Sequence, residues 1–302
     1  MILFPTILKV LLIILVISAF GILTFFFSCC SWALKSPMGG LINITLNGSG
    51  PVADASPAND GPEQPEVAAT DDTPTMEQLP LSGTCLGVIA SGAVNVILYD
   101  AVPQRLVLES TPDRRLQPPV MSGGILMIHG LDAEDAEDEE ELPTVHVYAR
   151  GISQVTHHGS GEMWAEHLTG THLRATSSGS ANLHIGGEGG DAVITAGGSG
   201  NIDFSWMAVD QLSVVMAGSG YVQPTGSWKE LDATLNGSGK LRADGAQPAT
   251  VRIRSHGDGA AYVGSARSLD AIVRGNGTVT YAGAPEPLIK QLLGSGTIDA
   301  EP

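Results

Sequence analysis

The chain has 302 residues, a net charge of −17 and 38 glycines, and only 16% of its residues are charged. Contacts to phosphate need lysine and arginine, so this acidic balance argues against nucleic-acid binding. The three cysteines imply no disulfide framework. The length suits either two average domains or one long solenoid with accessory segments.

Residues 1–35 contain the candidate membrane segment. The stretch 10–27 carries no charge, and it is long enough to cross a bilayer. The sequence favours an uncleaved signal anchor, because no Ala-x-Ala cleavage site is evident. A cleaved signal peptide and lipid attachment at Cys29 or Cys30 are the alternatives. We therefore expect a single-pass cell-membrane protein whose head lies in the periplasm or outside the cell.

Residues 36–80 are predicted to form a linker between the membrane and the head. Prolines mixed with Asp, Glu, Ala and Thr over 51–80 cannot bury enough apolar surface to offset the entropy of ordering. Within the linker, the stretch 41–50 closely echoes the later stretch 231–239. It is either a stray strand that pairs with an edge of the head or a coincidence.

The head is predicted over 81–302, and its first part is the less regular one. Strands are predicted at 88–98, 106–109, 125–128 and 145–148, because apolar residues alternate there between proline and glycine turns. Irregular strands are typical of the capping end of a repeat protein. We expect Cys85 to be a small buried residue near a strand start.

An acidic loop is predicted at 132–141, where eight of ten residues are Asp or Glu. The first interpretation is a solvated, self-repelling loop between two strands. The alternative is a site for Ca²⁺ or a basic partner, since hard cations take clustered carboxylates. The spacing lacks the alternating ligands and the glycine of an EF-hand loop, so no ligands are assigned.

From residue 159 onward a Gly-Ser-Gly step recurs every 18 to 20 residues, which is the mark of a repeat architecture. The first glycines of these steps, with the matching earlier position, are Gly92, Gly159, Gly179, Gly198, Gly218, Gly237, Gly257, Gly275 and Gly294. Apolar residues recur two, four and six positions before each glycine and four positions after it. This is the strand period, and about nineteen residues per repeat leave no room for a helical crossover.

The repeat therefore predicts an all-β fold, a single-stranded parallel β-helix with two short strands in each rung of about nineteen residues. Glycine at the corner would permit a left-handed backbone or a close approach between rungs. The residues that follow the glycines would stack as a ladder of small polar side chains: Ser160, Ser180, Ser199, Ser219, Ser238, Asp258, Asn276 and Ser295.

The sequence predicts no catalytic, cofactor-binding or metal-binding residues. Asp203, Asp232, Asp258 and Asp270 are interpreted as lying at different phases of the repeat, so they would not form the paired carboxylates of a glycosidase. The eight histidines are expected at the surface. His158 and His256 share a phase but lie five repeats apart, too far to share a metal ion.

The segment from about 84 to 299 resembles a bacterial family, the putative auto-transporter adhesin head domain or head GIN domain. The residues that carry the resemblance are those at 87–98, 145–148 and 158–161, with the later Gly-Ser-Gly steps. The resemblance implies a β-helix head on an exported or membrane-tethered protein, and it implies no catalytic or ligand-binding residues.

These observations together predict a non-catalytic, membrane-anchored β-helix outside the cytoplasm. It would bind a surface glycan or protein of the envelope, because stacked rungs present a regular extended surface. The second hypothesis is a structural or regulatory scaffold that acts through protein partners or assembles end to end as a homo-oligomer through its open ends. The third is a carbohydrate-active β-helix enzyme.

Overall fold

The computed structural model describes residues 74–111, 114–132, 136, 142–243 and 248–301. All of them belong to the second of two units, which spans 67–302. The predicted membrane segment, nearly all of the predicted linker, the stretch 41–50 and most of the acidic loop lie outside the described residues. Among the residues that are described, no helix has the length and apolar character needed to cross a membrane.

The described part of the chain folds into nineteen strands. They are β1 (Thr75–Pro80), β2 (Gly87–Ala93), β3 (Asn95–Asp100), β4 (Arg105–Ser110), β5 (Val120–Ser122), β6 (Ile125–His129), β7 (Thr144–Ala149), β8 (Gln154–Ser160), β9 (Glu162–Gly179), β10 (Asn182–Ala196), β11 (Asn201–Met216), β12 (Tyr221–Leu235), β13 (Lys240–Ala243), β14 (Thr250–Ser255), β15 (Ala260–Val263), β16 (Ser268–Val273), β17 (Thr278–Tyr281), β18 (Leu288–Leu292) and β19 (Thr297–Ala300).

The strands stack into a parallel solenoid with two faces that enclose one core, which confirms the predicted all-β repeat fold. Face A consists of the strands that enter each glycine corner: β6, β2, β8, the C-terminal parts of β9 to β12, then β14, β16 and β18. Face B consists of the strands that leave the corner: β7, β3, the N-terminal parts of β9 to β12, then β13, β15, β17 and β19.

The first rung made by the chain, β2 with β3, is not the outermost one. β2 lies between β6 and β8, and β3 lies between β7 and β9. Antiparallel strands close this end, because β5 pairs with β6, β4 pairs with β7 and β1 pairs with β4. The strands predicted at 106–109, 125–128 and 145–148 correspond to β4, β6 and β7.

β1 lies within the range assigned to the linker, so the folded unit starts before Leu81. Its residues are mostly exposed, and its backbone pairs with β4 while Leu79 packs against the core. An edge strand that is held mainly by backbone hydrogen bonds needs few apolar side chains, so its sequence shows little alternation of apolar and polar residues. Composition alone therefore assigns this stretch to the linker.

The nine predicted corner glycines stack directly on one another. A Cβ atom on Gly159 would overlap the backbone of Gly92, one on Gly179 would overlap Gly159, and the same holds for each later pair as far as Gly294. Some corners also have a left-handed φ, as at Gly92 (75°) and Gly179 (87°). For the others, close approach of the neighbouring rung is the reason that only glycine fits.

The polar residues after these glycines lie one above another at the same corner. The amide N–H of Ser199 donates to the carbonyl oxygen of Gly179 at 2.8 Å, and that of Asp258 donates to Gly237 at 3.1 Å. At the far end the side chains themselves are linked, because Asn276 Nδ2 donates to Asp258 Oδ1 at 2.9 Å and the Ser295 hydroxyl donates to Asn276 Oδ1.

The apolar positions predicted to face inward fill the core. Leu173, Ala192, Leu212 and Leu231 stack six positions before their glycines and are fully buried or nearly so. Side chains of this size, repeated at the parallel-strand spacing, pack without large voids. Cys85 is buried just before β2, as predicted, and burial raises the pKa of its thiol.

The C-terminal end of the core is exposed at its last rung. Leu288 and Leu292 point to the inner side of β18 but are 39% and 51% exposed, since no described strand stacks beyond them. Between them lies Lys290, in the column that holds Ala271 on β16. Its ammonium group donates to the carbonyl oxygen of Ile298 at 2.9 Å, so a charged side chain spans the open end from face A to face B.

One histidine is not at the surface, which corrects the prediction. His157 is 0% exposed, because it lies two positions before Gly159 and that position faces the core. Its Nε2–H donates to the carbonyl oxygen of Val94 at 2.9 Å, while its Nδ1 has no partner among the described residues. Burial is the main cause that lowers the pKa of His157 below its ordinary value.

Because the imidazole of His157 is buried, we expect the free energy of unfolding to fall in mild acid. Below a pH of about 6.5 the unfolded chain binds a proton at this histidine, while the folded chain, with its lowered pKa, does not. The free energy of unfolding is therefore fully retained above pH ~6.5 and falls below it by up to ~1.4 kcal/mol per pH unit. We expect His157→Gln, whose amide can still donate to Val94, to flatten this slope in urea unfolding between pH 5 and 7. Parallel pH profiles for the two proteins would show the assignment to be wrong.

Candidate functional site

A row of outward side chains crosses face B in the middle of the solenoid. Trp164, His184 and Asp203 occupy equivalent positions on β9, β10 and β11. The indole ring of Trp164 stacks on the imidazole of His184, with ring centroids 3.9 Å apart and planes 16° from parallel. His184 Nδ1 lies 3.2 Å from Asp203 Oδ2, and Trp164 Nε1–H donates to Glu162 Oε2 at 2.9 Å. Mutual contacts thus fix the row, while Trp164 remains about 38% exposed.

A second row runs beside the first and contains a gap. Glu166 on β9 is followed by Gly186 on β10, Ser205 on β11 and Thr225 on β12. Since Gly186 has no side chain, a depression with a volume of about 810 Å³ opens above it. The row of Trp164 forms one wall of this depression, and the second row forms its floor.

A β-bulge shapes the opposite wall. Ala165 pairs with Ile185 and Leu168 pairs with Gly187, so β9 has one residue more than β10 over this stretch. His167 lies in the bulge with a φ of 61°, a left-handed conformation that is uncommon for residues other than glycine. Bulges re-aim side chains and occur often beside functional sites. Here the bulge brings His167 to the edge of the depression.

The lining of the depression combines acidic, hydroxyl, amide and apolar groups. Beyond the residues already named it includes Glu188, Met207 and Gln223. Met207 is 53% exposed, although methionine is among the residue types most often buried. Among the described residues that line it there is no lysine or arginine, so its carboxylates create a negative potential that favours neutral or cationic ligands. The arrangement has the composition of a binding site, with apolar contact area and a few polar groups that orient a ligand.

Two of the four aspartates singled out in the sequence share a repeat phase, which corrects the prediction. Asp232 and Asp270 both lie five positions before a corner glycine and face outward from face A, with Arg252 on the strand between them. Arg254 donates to Asp232 Oδ1 at 2.9 Å, while the Arg252 guanidinium lies 3.6 Å from Glu230 Oε2. The two aspartates are therefore separated by the strand that carries Arg252. Asp203 is on the other face, and Asp258 is at the corner.

The two histidines compared in the sequence lie far apart on face A. His158 Nδ1 lies 2.6 Å from the Ser178 hydroxyl, and burial lowers the pKa of its imidazole. His256 follows β14, near the other end of the solenoid. Within the described ranges, no group of three or more His, Cys, Asp or Glu side chains could hold a metal ion.

Sequence reasoning missed the depression because it followed the apolar columns of the repeat. From Gly159 onward, the column five positions after each corner glycine is neither apolar nor uniform: Trp164, His184, Asp203, Gln223, Arg242, Tyr262, Thr280 and Asp299. Reading this outward column down the repeat would have placed Trp164, His184 and Asp203 side by side. The bulge at His167 changes the register of the face and leaves no comparable signal in the sequence.

A family model described as "Putative auto-transporter adhesin, head GIN domain" matches residues 87–285. Solved structures with the same fold include a putative lipid binding protein from Parabacteroides distasonis, with 20% identity and a TM-score of 0.66 over 77% of this chain and 98% of that chain. A putative adhesin from the same species has 16% identity and a TM-score of 0.67 over the same shares.

A further structure, a putative adhesin from Bacteroides fragilis, has 17% identity and a TM-score of 0.57 over 77% of this chain and 99% of that chain. Identities in this range establish a common fold and leave the ligand open. No curated protein matches the sequence.

Proposed function

This chain belongs to the family described as putative auto-transporter adhesin, head GIN domain, and from that membership we propose that it is a non-catalytic binding module of the cell envelope. A single span within residues 1–35 would tether the module to the membrane. The uncharged stretch 10–27 supports this anchor. The solenoid would then lie in the periplasm or outside the cell and bind a glycan or protein of the envelope.

The observation that carries the proposal is the depression on face B. It joins two exposed apolar side chains, Trp164 and Met207, to carboxylate, hydroxyl and amide groups within one concave surface. Aromatic and methionine side chains are enriched where proteins bind partners. One structural relative is described as a putative lipid binding protein. A lipid with an anionic headgroup is less well supported here, because the lining is acidic.

We expect the double variant Trp164→Ala, Met207→Ala to bind envelope fragments at least about tenfold more weakly than the wild type, because it loses the apolar contact area of the site. The measurement is cosedimentation of the purified full chain with detergent-washed fragments prepared from cells that lack it, in detergent that keeps the proposed span within residues 1–35 from entering lipid. Thr280→Ala is the matched control, since Thr280 holds the same outward position on β17 but does not line the depression.

Two results would count against the proposal. Wild-type protein that does not sediment with the fragments would contradict an envelope-binding role. Equal binding by the wild type and the double variant would place the binding surface elsewhere on the solenoid.

A further inference from the structure

We propose that the depression above Gly186 is a subsite for a neutral, hydroxyl-rich saccharide chain. This inference rests on the proposed function, since it names the class of ligand for the same surface. Three observations carry it: the glycine at the floor, the chemistry of the lining and the extent of the two rows.

Gly186 has no structural reason to be glycine. Its φ lies outside the left-handed region, and an added Cβ would meet only ordinary contacts, 3.8 Å from Ser205 O and 3.9 Å from Glu166 Cα. Its neighbour Gly187 differs, because a Cβ there would overlap Leu168 O and the ring of Trp206. Glycine within a strand weakens the strand, and it often marks a place where a ligand approaches the backbone. The missing side chain at Gly186 keeps the depression open.

The lining offers the groups that recognise hydroxyls. The carboxylates of Glu166 and Glu188 accept hydrogen bonds, and the Ser205 hydroxyl both donates and accepts. Gln223 can donate from its amide N–H groups while its Oε1 accepts from the Tyr221 hydroxyl, and the Thr225 hydroxyl, which donates to Phe204 O, can accept. A sugar ring presents hydroxyls at its rim and C–H groups on its faces, so it matches polar groups placed beside apolar ones. The acidic lining disfavours phosphorylated or carboxylated sugars by charge repulsion.

The apolar groups of the lining offer contact area for the C–H groups of a sugar. His184 covers one face of the Trp164 ring, and the Trp164 side chain as a whole remains about 38% exposed. Met207 is exposed at the far side of the floor. Asp203, the third carboxylate of the lining, is already paired with His184. Two carboxylates, Glu166 and Glu188, are then left to contact a ligand.

The size and direction of the depression suit a chain of sugars. The lining runs from β9 to β12, which is three strand spacings or about 14 Å. Its volume of about 810 Å³ lies within the range of ligand sites, ~300–1,000 Å³. Because the rows continue across successive strands, a polymer can lie along them and contact equivalent positions in turn.

The test uses the purified full chain and envelope fragments in three forms: untreated, oxidised with periodate, which cleaves the vicinal diols of sugars, and digested with protease. We expect wild-type binding to survive the protease and to fall at least about tenfold after periodate, the loss expected when a ligand's hydrogen bonds are removed. Gly186→Val should bind untreated fragments at least about tenfold more weakly, because its side chain fills the floor. Gly170→Ala is the control, since a Cβ there also has room and does not line the depression.

Each other outcome separates this inference from the proposed function. Binding that is lost after protease and kept after periodate would identify a protein ligand, and it would overturn the saccharide while the envelope-binding role stands. Binding that survives both treatments would likewise exclude a saccharide of this class. Full binding by Gly186→Val, with Glu166→Gln also unaffected, would place the saccharide elsewhere. If untreated fragments do not bind the wild type, both proposals are wrong.

Discussion

Replacing Gly198 by alanine is expected to destabilise the solenoid by at least about 3 kcal/mol, at the upper end of the range for overpacked sites. The new Cβ would overlap the carbonyl oxygen of Gly179, which accepts a hydrogen bond from the amide of Ser199 at 2.8 Å. Neither backbone can move aside without breaking the stacking of rungs on both sides. Urea unfolding followed by circular dichroism measures the loss, and the midpoint should fall steeply.

The adjacent glycine provides the control for this experiment. A Cβ on Gly197 would lie 3.5 Å from Ser177 O and 3.7 Å from Ser178 Cβ, which are ordinary contacts. The equivalent position in the next rung is already Ala217. Gly197→Ala should therefore change the free energy of unfolding by no more than about 0.5 kcal/mol. Similar losses for the two variants would mean that general strand effects, not stacked backbones, explain the glycine period.

The second large effect is expected at the open end. Replacing Lys290 by leucine should convert the C-terminal end of the core into an apolar surface bordered by free strand edges. Lys290 now spans that end through its bond to Ile298 O and lies 4.8 Å from the centroid of the Tyr281 ring. Inward-pointing charges protect edge strands from pairing with other molecules. We expect the association constant for self-assembly to rise about tenfold or more, since burying one leucine contributes ~1.5–3 kcal/mol.

Sedimentation velocity over a hundredfold range of protein concentration would measure this association. Lys290→Arg is the control, because it keeps the charge and the length of the side chain and should associate no more than the wild type. A leucine variant that sediments as the wild type does at every concentration would show that other features of the last rung protect it. In that case end-to-end assembly would also lose its physical basis.

The solenoid could be predicted from the sequence because the two features that determine it, the corner glycines and the inward apolar residues, are periodic. Stacked backbones leave room only for glycine at the corner, and the two-residue period of strands places apolar side chains inward at Leu212 and Val214. Each rung repeats both constraints, so a single chain contains many examples of the same rule. The buried His157 obeys this rule as well, since it lies two positions before Gly159, and the repeat phase would have predicted its burial.

The capping end and the depression could not be predicted in the same way. Nothing local shows that β2 lies between β6 and β8, because strand order depends on contacts between segments far apart in the sequence. The bulge at His167 depends on one additional residue in β9 relative to β10. The depression depends on the absence of a side chain at Gly186. These features arise once or a few times in the chain, and a repeat pattern contains no information about them.

The interleaved order of the first strands has a consequence for the order in which the rungs can fold during synthesis. Once the chain has been made as far as Ala149, both edges of one end are occupied: β6 and β7 cover β2 and β3, and β5 and β4 cover them in turn. Every later rung then meets a template on one side only. Folding during synthesis can therefore proceed in one direction from the capped end. One rung is added for about every nineteen residues that are made. At the last described rung the inward charge of Lys290, bonded to Ile298 O, disfavours the stacking of a further strand.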